Sequence, residues 1–105
     1  MSEQVNVVAI LTPAPGKKDR VVELLKQLVK EVQGEDGILQ YDLFWTEEAG
    51  EVVFVEKYAS QSVVKTHMAT PHFKGFGKSL QAEGLLAKPP ALKWLSPVVG
   101  LASKL

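Results

Sequence analysis

The elements legible in this 105-residue sequence run β-α-β-β-α-β, an order that predicts a ferredoxin-like α+β fold. Such a fold is a four-stranded antiparallel sheet with helices on one face. Three observations carry the prediction. Apolar residues recur with a helical period over 17–33. Two alternating segments, 37–45 and 52–58, flank the Gly-containing loop "TEEAGE". A second helical region is split at Thr70-Pro71 and is followed by a short apolar stretch at 91–95.

"VNVVAIL" (5–11) is a short, β-branched run ended by Thr-Pro-Ala-Pro-Gly, and reads as the first strand. Val21, Leu24, Leu25, Leu28, Val29 and Val32 then form the apolar stripe of an amphipathic helix that Gly34 can end. In "GILQYDLFW" the residues Leu39, Tyr41, Leu43 and Trp45 share one face, and Ile38, Gln40, Asp42 and Phe44 the other. In "VVFVEKY" Val52, Phe54, Glu56 and Tyr58 oppose Val53, Val55 and Lys57.

Ser60 is placed to cap a short helix, "SQSVVKTHM". Thr70 caps the next one, with Pro71 at its first position, where a missing N–H costs nothing. This helix carries Phe73, Phe76 and Leu80 and is expected to end at Gly84. Gly75 and Gly77 weaken it by about 1 kcal/mol each relative to Ala. Either something packs closely against that backbone, or the glycines are merely tolerated. Pro89-Pro90 bars a further helix, so "ALKWL" (91–95) is the last strand.

The length fits one domain over 1–105, able to hide only about 65% of the surface its unfolded chain exposes. Twelve basic residues balance twelve acidic ones, which favours neither a nucleic-acid groove nor an anionic membrane surface. With no cysteine, disulfides, thiolate metal sites and cysteine nucleophiles are excluded. The N-terminal apolar stretch, Val5 to Leu11, is too short for a signal peptide or a span, so an intracellular, cytoplasmic protein is expected.

Helices can cover only one face of the predicted sheet, yet strands 1 and 3 are apolar on both. Strand 1 offers Val7, Ala9 and Leu11 on one side and Val8 and Ile10 on the other, and strand 3 offers Phe54 and Tyr58 against Val53 and Val55, so several large apolar residues would be left on an open face. At about 25 cal/mol per Å², covering them is worth several kcal/mol. A homodimer with the two open faces together is therefore expected. The alternative is a monomer whose tail, "SPVVGLASKL", covers that face.

The stretch "FVEKYASQSVVKTHMATPHF" resembles the strand-to-helix signature of the antibiotic-biosynthesis monooxygenase family. There a Glu, one residue and an aromatic end the third strand. A helix ending in His follows, then a small-residue, Pro, His, Phe break. The matching positions are Glu56, Tyr58, His67, Pro71, His72 and Phe73, and the likeness extends over about 5 to 96. It implies a dimeric α+β barrel with a pocket between helices and sheet in each subunit. It also implies oxidation of quinols or anthrone-like polyketides by O₂, without flavin, metal or other cofactor. A base removes a phenolic proton, and the electron-rich anion passes an electron to O₂. Two alternatives remain open: a small-ligand-binding or stress-associated barrel without turnover, and a polyketide cyclase or isomerase.

The resemblance makes His67 and Tyr58 the candidate catalytic residues, His67 as proton acceptor or donor and Tyr58 holding a substrate oxygen. The plainer readings are a packed helix-end histidine and a core tyrosine. Asn6, Glu56, His72, Phe73 and Phe76 are the candidate substrate-binding residues. Against these stand a strand-end asparagine, a Glu56 ion pair with a lysine or His67, a surface His72, and phenylalanines that only pack. Asn6 also resembles a residue of the family's haem-degrading branch, but Tyr58 stands where that branch has Trp. Trp45 and Trp94 read as core or interface. No metal site is expected: the two histidines are five residues apart across a proline, and no motif such as H-E-x-x-H is present. The restart at Thr70-Pro71 is expected to send their rings in separate directions.

Overall fold

A computed structural model describes residues 3–100. The elements are β1 (Val5–Leu11), α1 (Lys18–Val32), β2 (Ile38–Thr46), β3 (Glu51–Tyr58), α2 (Gln61–Met68), α3 (Pro71–Ala82) and β4 (Ala91–Leu95). The strands form one antiparallel sheet in the order β2-β3-β1-β4, the ferredoxin-like arrangement. Beyond β1, Pro13 bridges Leu86, and Ala14 N–H and Ala87 N–H donate across to Leu85 and Thr12 carbonyls at 2.8 Å each. This pins the α3–β4 connection beside the sheet.

The helices cover one face. Val21, Leu25, Leu28 and Val32 of α1 are buried against Ala9, Leu11, Val52 and Phe54 of the sheet. Each helix boundary has a local cause. Ser60 Oγ accepts from Val63 N–H, and Thr70 Oγ1 accepts from Phe73 N–H, each opening a helix. At the end of α3, Gly84 takes φ +58°, its N–H donates to Gln81 and that of Leu85 to Leu80. This paired closure, with Leu85 buried beside it, stops the helix.

One strand face differs from the alternation. A bulge lies between Ile38 and Gln40, so that Ile38 pairs with Tyr58 and Gln40 with Lys57. The extra residue is Leu39, which is 52% exposed, while Ile38 turns inward and packs on the core. A bulge inserts one residue and so reverses the facing of those before it. The glycines of α3 also resolve: a Cβ at Gly75 or Gly77 would meet nothing within 4 Å, so no close packing explains them.

The opposite face is open. Its register places Phe44 beside Val53, Val55 beside Val8, and Ile10 beside Val53 and Ala91. Phe44 is 54% exposed. Within the described residues the tail does not cover this surface, since Val98 and Val99 are both 94% exposed; residues 101–105 lie outside the description. Among the described residues no helix is long and apolar enough to cross a membrane.

Candidate functional site

A cavity of about 200 Å³ lies between the sheet and the helices. Its floor is the inner face of the sheet, where Tyr41, Glu56, Val7 and Trp94 form one cross-strand row. Phe54, Ala9 and Leu92 form the next row. The roof comes from Val64, His67 and Met68 of α2 and from Phe73, Phe76 and Leu80 of α3. Among the described residues no helix covers β4, so Leu92 and Trp94 stay about half exposed and mark the open side. The walls are almost wholly apolar, with a few polar groups set among them, as in a small-molecule site.

The polar groups at the roof form a chain. His67 is 2% exposed. Its Nδ1 lies 3.1 Å from Glu35 Oε2, and its Nε2 lies 3.3 Å from the Tyr41 hydroxyl. An ionised carboxylate only accepts, so Nδ1 carries the proton and donates to Glu35. Nε2 is then free to accept from Tyr41 O–H. His72 Nε2–H donates to the same Glu35 oxygen at 2.6 Å, and its Nδ1 stands 3.7 Å from Glu31. The two histidine rings therefore do not diverge, as the helix break suggested, but converge on one carboxylate. Thr70 sets the angle: its hydroxyl donates to His67 O at 2.8 Å and accepts from Phe73 N–H at 3.2 Å. That clasp turns the chain between the last turn of α2 and the first turn of α3. Among the described residues no cluster of three or more acidic or histidine side chains is arranged for a metal ion.

Glu56 is the second polar feature. Its partner is neither a lysine nor His67: Tyr58 O–H donates to its Oε1. Burial raises the Glu56 carboxyl above its ordinary value, and the Tyr58 hydrogen bond opposes the shift. Burial likewise raises both phenols, helped by Glu56 and Glu35, so Tyr41 and Tyr58 remain protonated donors.

The raised Glu56 value has a stability consequence. The folded protein binds more protons here than the unfolded chain, so Glu56 lowers stability as pH rises from 4.5 through its folded value. Glu56→Gln keeps an acceptor for Tyr58 and has no charge to desolvate. Its melting temperature should exceed that of wild type at neutral pH. The gap should close on acidification. Thermal melts in a pH series check this, and parallel curves for the two proteins would count against it.

Of the residues singled out from sequence, Glu56, Tyr58, His67, Phe73 and Phe76 all line the cavity. His72 does not; it sits behind Glu35, away from the chamber. Asn6 pairs with Lys57 and Leu95 on the open face of the sheet, opposite Val7 and the cavity floor. Trp45 packs on the core, whereas Trp94 borders the opening. Two members of the constellation were not singled out. The alternation of β2 puts Tyr41 on the inward face, but nothing local in the sequence shows that its hydroxyl reaches His67. Glu35 lies in the turn "QGEDG" after α1.

The model of the family described as antibiotic biosynthesis monooxygenase matches residues 4–79. The chain is 31% identical over 98 residues to "Putative monooxygenase Rv0793" of Mycobacterium tuberculosis, covering 93% of this chain and 95% of that protein. It is 36% identical over 78 residues to "Putative monooxygenase YcnE" of Bacillus subtilis, covering 69% and 80%. The solved structure of Rv0793 superposes with a TM-score of 0.85 at 29% identity, covering 95% of this chain and 100% of that one. PA3566 from Pseudomonas aeruginosa gives 0.83 at 27% identity, covering 94% and 98%. With the sheet order, the helical roof and the matched stretch in agreement, the chain belongs to the antibiotic biosynthesis monooxygenase family.

Proposed function

We propose that this protein is a cofactor-independent monooxygenase that oxidises a quinol, preferably one of a single ring, with O₂. The observation that carries the reading is the Glu35–His67–Tyr41 hydrogen-bond chain, which delivers an unprotonated imidazole nitrogen and a phenol to the wall of an apolar chamber. A bound quinol hydroxyl gives its proton to this pair, with His67 Nε2 as the final acceptor. Tyr58 and Tyr41 donate to the oxygen that becomes anionic. The anion reduces O₂, and the two combine at a ring carbon. One oxygen atom enters the ring, the other leaves as water, and the two hydroxyls of the diol become carbonyls. The substrate supplies every electron, so the balance needs no outside reductant.

Size favours a quinol over a fused polyketide. An apolar cavity of roughly 150 Å³ takes up benzene, and this one holds about 200 Å³. One substituted ring fits inside, whereas a tricyclic anthrone would project past Leu92 and Trp94. Phe73 and Phe76 flank the ring, and Glu56 fixes the Tyr58 hydroxyl.

The working unit in this reading is a homodimer joined through the open sheet faces. Val8, Ile10, Phe44, Val53 and Val55 form an apolar patch that the described part of the tail leaves bare. Sedimentation at micromolar concentration should give twice the chain mass of 11.5 kDa. A monomeric mass would remove the dimer.

The activity is tested with an oxygen electrode and one-ring or fused quinols, in the absence of added metal and flavin. Oxygen uptake is expected to favour the one-ring quinol and to fall about tenfold or more in Tyr58→Phe. Binding without oxygen uptake would support a ligand-binding role instead. Rearrangement of the carbon skeleton without O₂ would support a cyclase.

A further inference from the structure

Glu35 is shared by an imidazole at the cavity and an imidazole at the surface, and the proposed deprotonation of a quinol uses only the first. His67 is enclosed, facing Tyr41 of β2, Tyr58 of β3 and Phe73 of α3 as well as Glu35. His72 has a side chain that is 18% exposed and faces Glu35 and, across 3.7 Å, Glu31 of α1, which is 40% exposed. Both rings bond the same oxygen, Glu35 Oε2, at 3.1 and 2.6 Å. One carboxylate neutralises one imidazolium. A second positive charge on this oxygen would stand beside the first with only Glu31, 3.7 Å from His72 Nδ1 and 40% exposed, to offset it through solvent, so two charged rings repel across Glu35.

We infer that Glu35 couples the two histidines so that a proton taken up at His67 inside the cavity is matched by a proton leaving His72 to solvent. The exchange is balanced. Before it, Glu35 is paired with charged His72, and His67 is neutral. The substrate hydroxyl gives its proton to Tyr41 as Tyr41 gives its own to His67 Nε2. His72 then releases the proton on Nδ1, on the side of Glu31 and water. After it, Glu35 is paired with charged His67, and His72 is neutral with its Nε2–H still on Glu35. One proton enters, one leaves, and the net charge of the cluster is unchanged. Glu35 and His72 are positioning residues in this scheme, since neither reaches the cavity. The coupling rests on the quinol reading for its role in turnover, but it can be measured without turnover.

The chain has only two histidines, so ¹⁵N-histidine labelling reports both rings without interference. Across the pH range where histidine titrates, the wild-type spectrum should show one ring taking up a proton, His72, while His67 keeps its Nδ1–H neutral form. In His72→Gln the titration should move onto His67. In Glu35→Gln neither ring should depend on the other. Two independently titrating rings in wild type, or a His67 unaltered by His72→Gln, would overturn the coupling. His72 is at the first turn of α3 and the Thr70 cap is untouched by its replacement, so the folded state is expected to persist. A second arm adds 4-nitrophenol anaerobically in weak buffer, with the pH held where His72 is charged. Wild type should release about one proton per bound phenol and His72→Gln none. If the phenol binds and both proteins release equally, the exchange is wrong. If it fails to bind, the quinol reading falls, and the ligand-free spectra still decide the coupling.

Discussion

Replacing His67 with glutamine is expected to lower kcat for a quinol by about 10²–10⁴-fold while leaving its binding within a few-fold of wild type. The glutamine amide can still donate toward Glu35 and still lies near Tyr41, but it cannot hold the proton that the bound quinol must lose. Structure is largely spared, because Glu35 keeps His72 as a second partner at 2.6 Å. That separates a chemical loss from a packing loss, which His67→Ala would mix by emptying a ring-sized space between Tyr41, Tyr58 and Phe73. Stopped-flow oxidation of a one-ring quinol under air-saturated buffer measures it, with ligand affinity taken anaerobically. Retention of kcat would move the base to Glu56, the other ionisable acid on the cavity wall. Loss of binding together with kcat would mean that His67 holds the site together rather than acting in it.

How far the sequence reveals this site depends on whether each signal is local. The Ser60 and Thr70 caps, Pro71 and the α1 stripe act within one or two turns, and each was legible. The inward row of β3 was legible too, because alternation fixes it once the strand is recognised. Leu39 was not, since a bulge is a property of two strands in register and only the pairing of Ile38 with Tyr58 reveals it. Asn6 shows the converse: its strand was right, but the side of the sheet that carries a cavity depends on which face the helices cover. The convergence of His67 and His72 needed both the Thr70 clasp and a carboxylate 32 and 37 positions away. No spacing rule reaches across two strands and a helix. Glu35 would have been singled out only by asking which acidic residue the β-α-β-β-α-β topology brings beneath the second helical region.

Gly37→Ala is the substitution outside the site expected to cost most. Gly37 has φ +85°, a backbone state that a side chain disfavours by roughly 1–2 kcal/mol. An added Cβ would also lie 2.7 Å from Val63 Cγ2 and 3.1 Å from Cγ1. Val63 is β-branched and held on a short helix, so it has no free rotamer to retreat into, and such overpacking costs roughly 1–3 kcal/mol more. The sum, roughly 2–5 kcal/mol, is a large share of the about 5–15 kcal/mol that stabilises a domain of this size. It corresponds to a melting temperature lowered by roughly 8–40 °C. The two contributions separate in a double variant. Gly37→Ala with Val63→Ala should recover the steric part relative to Gly37→Ala alone and leave the backbone part. Full recovery would mean that φ costs nothing here, and no recovery would mean that Val63 is not the obstacle. The effect also bears on the site. Gly37 O accepts from Ala59 N–H at 2.8 Å, and this bond ties the turn bearing Glu35 to the start of the segment bearing α2. Pushing Val63 away moves α2, and with it His67, relative to Glu35 and Tyr41. Material that survives folding should therefore show a weakened His67–Glu35 contact, visible as a changed tautomer in the histidine spectrum. Glycine at 37 keeps these two segments close enough for one carboxylate to reach both rings.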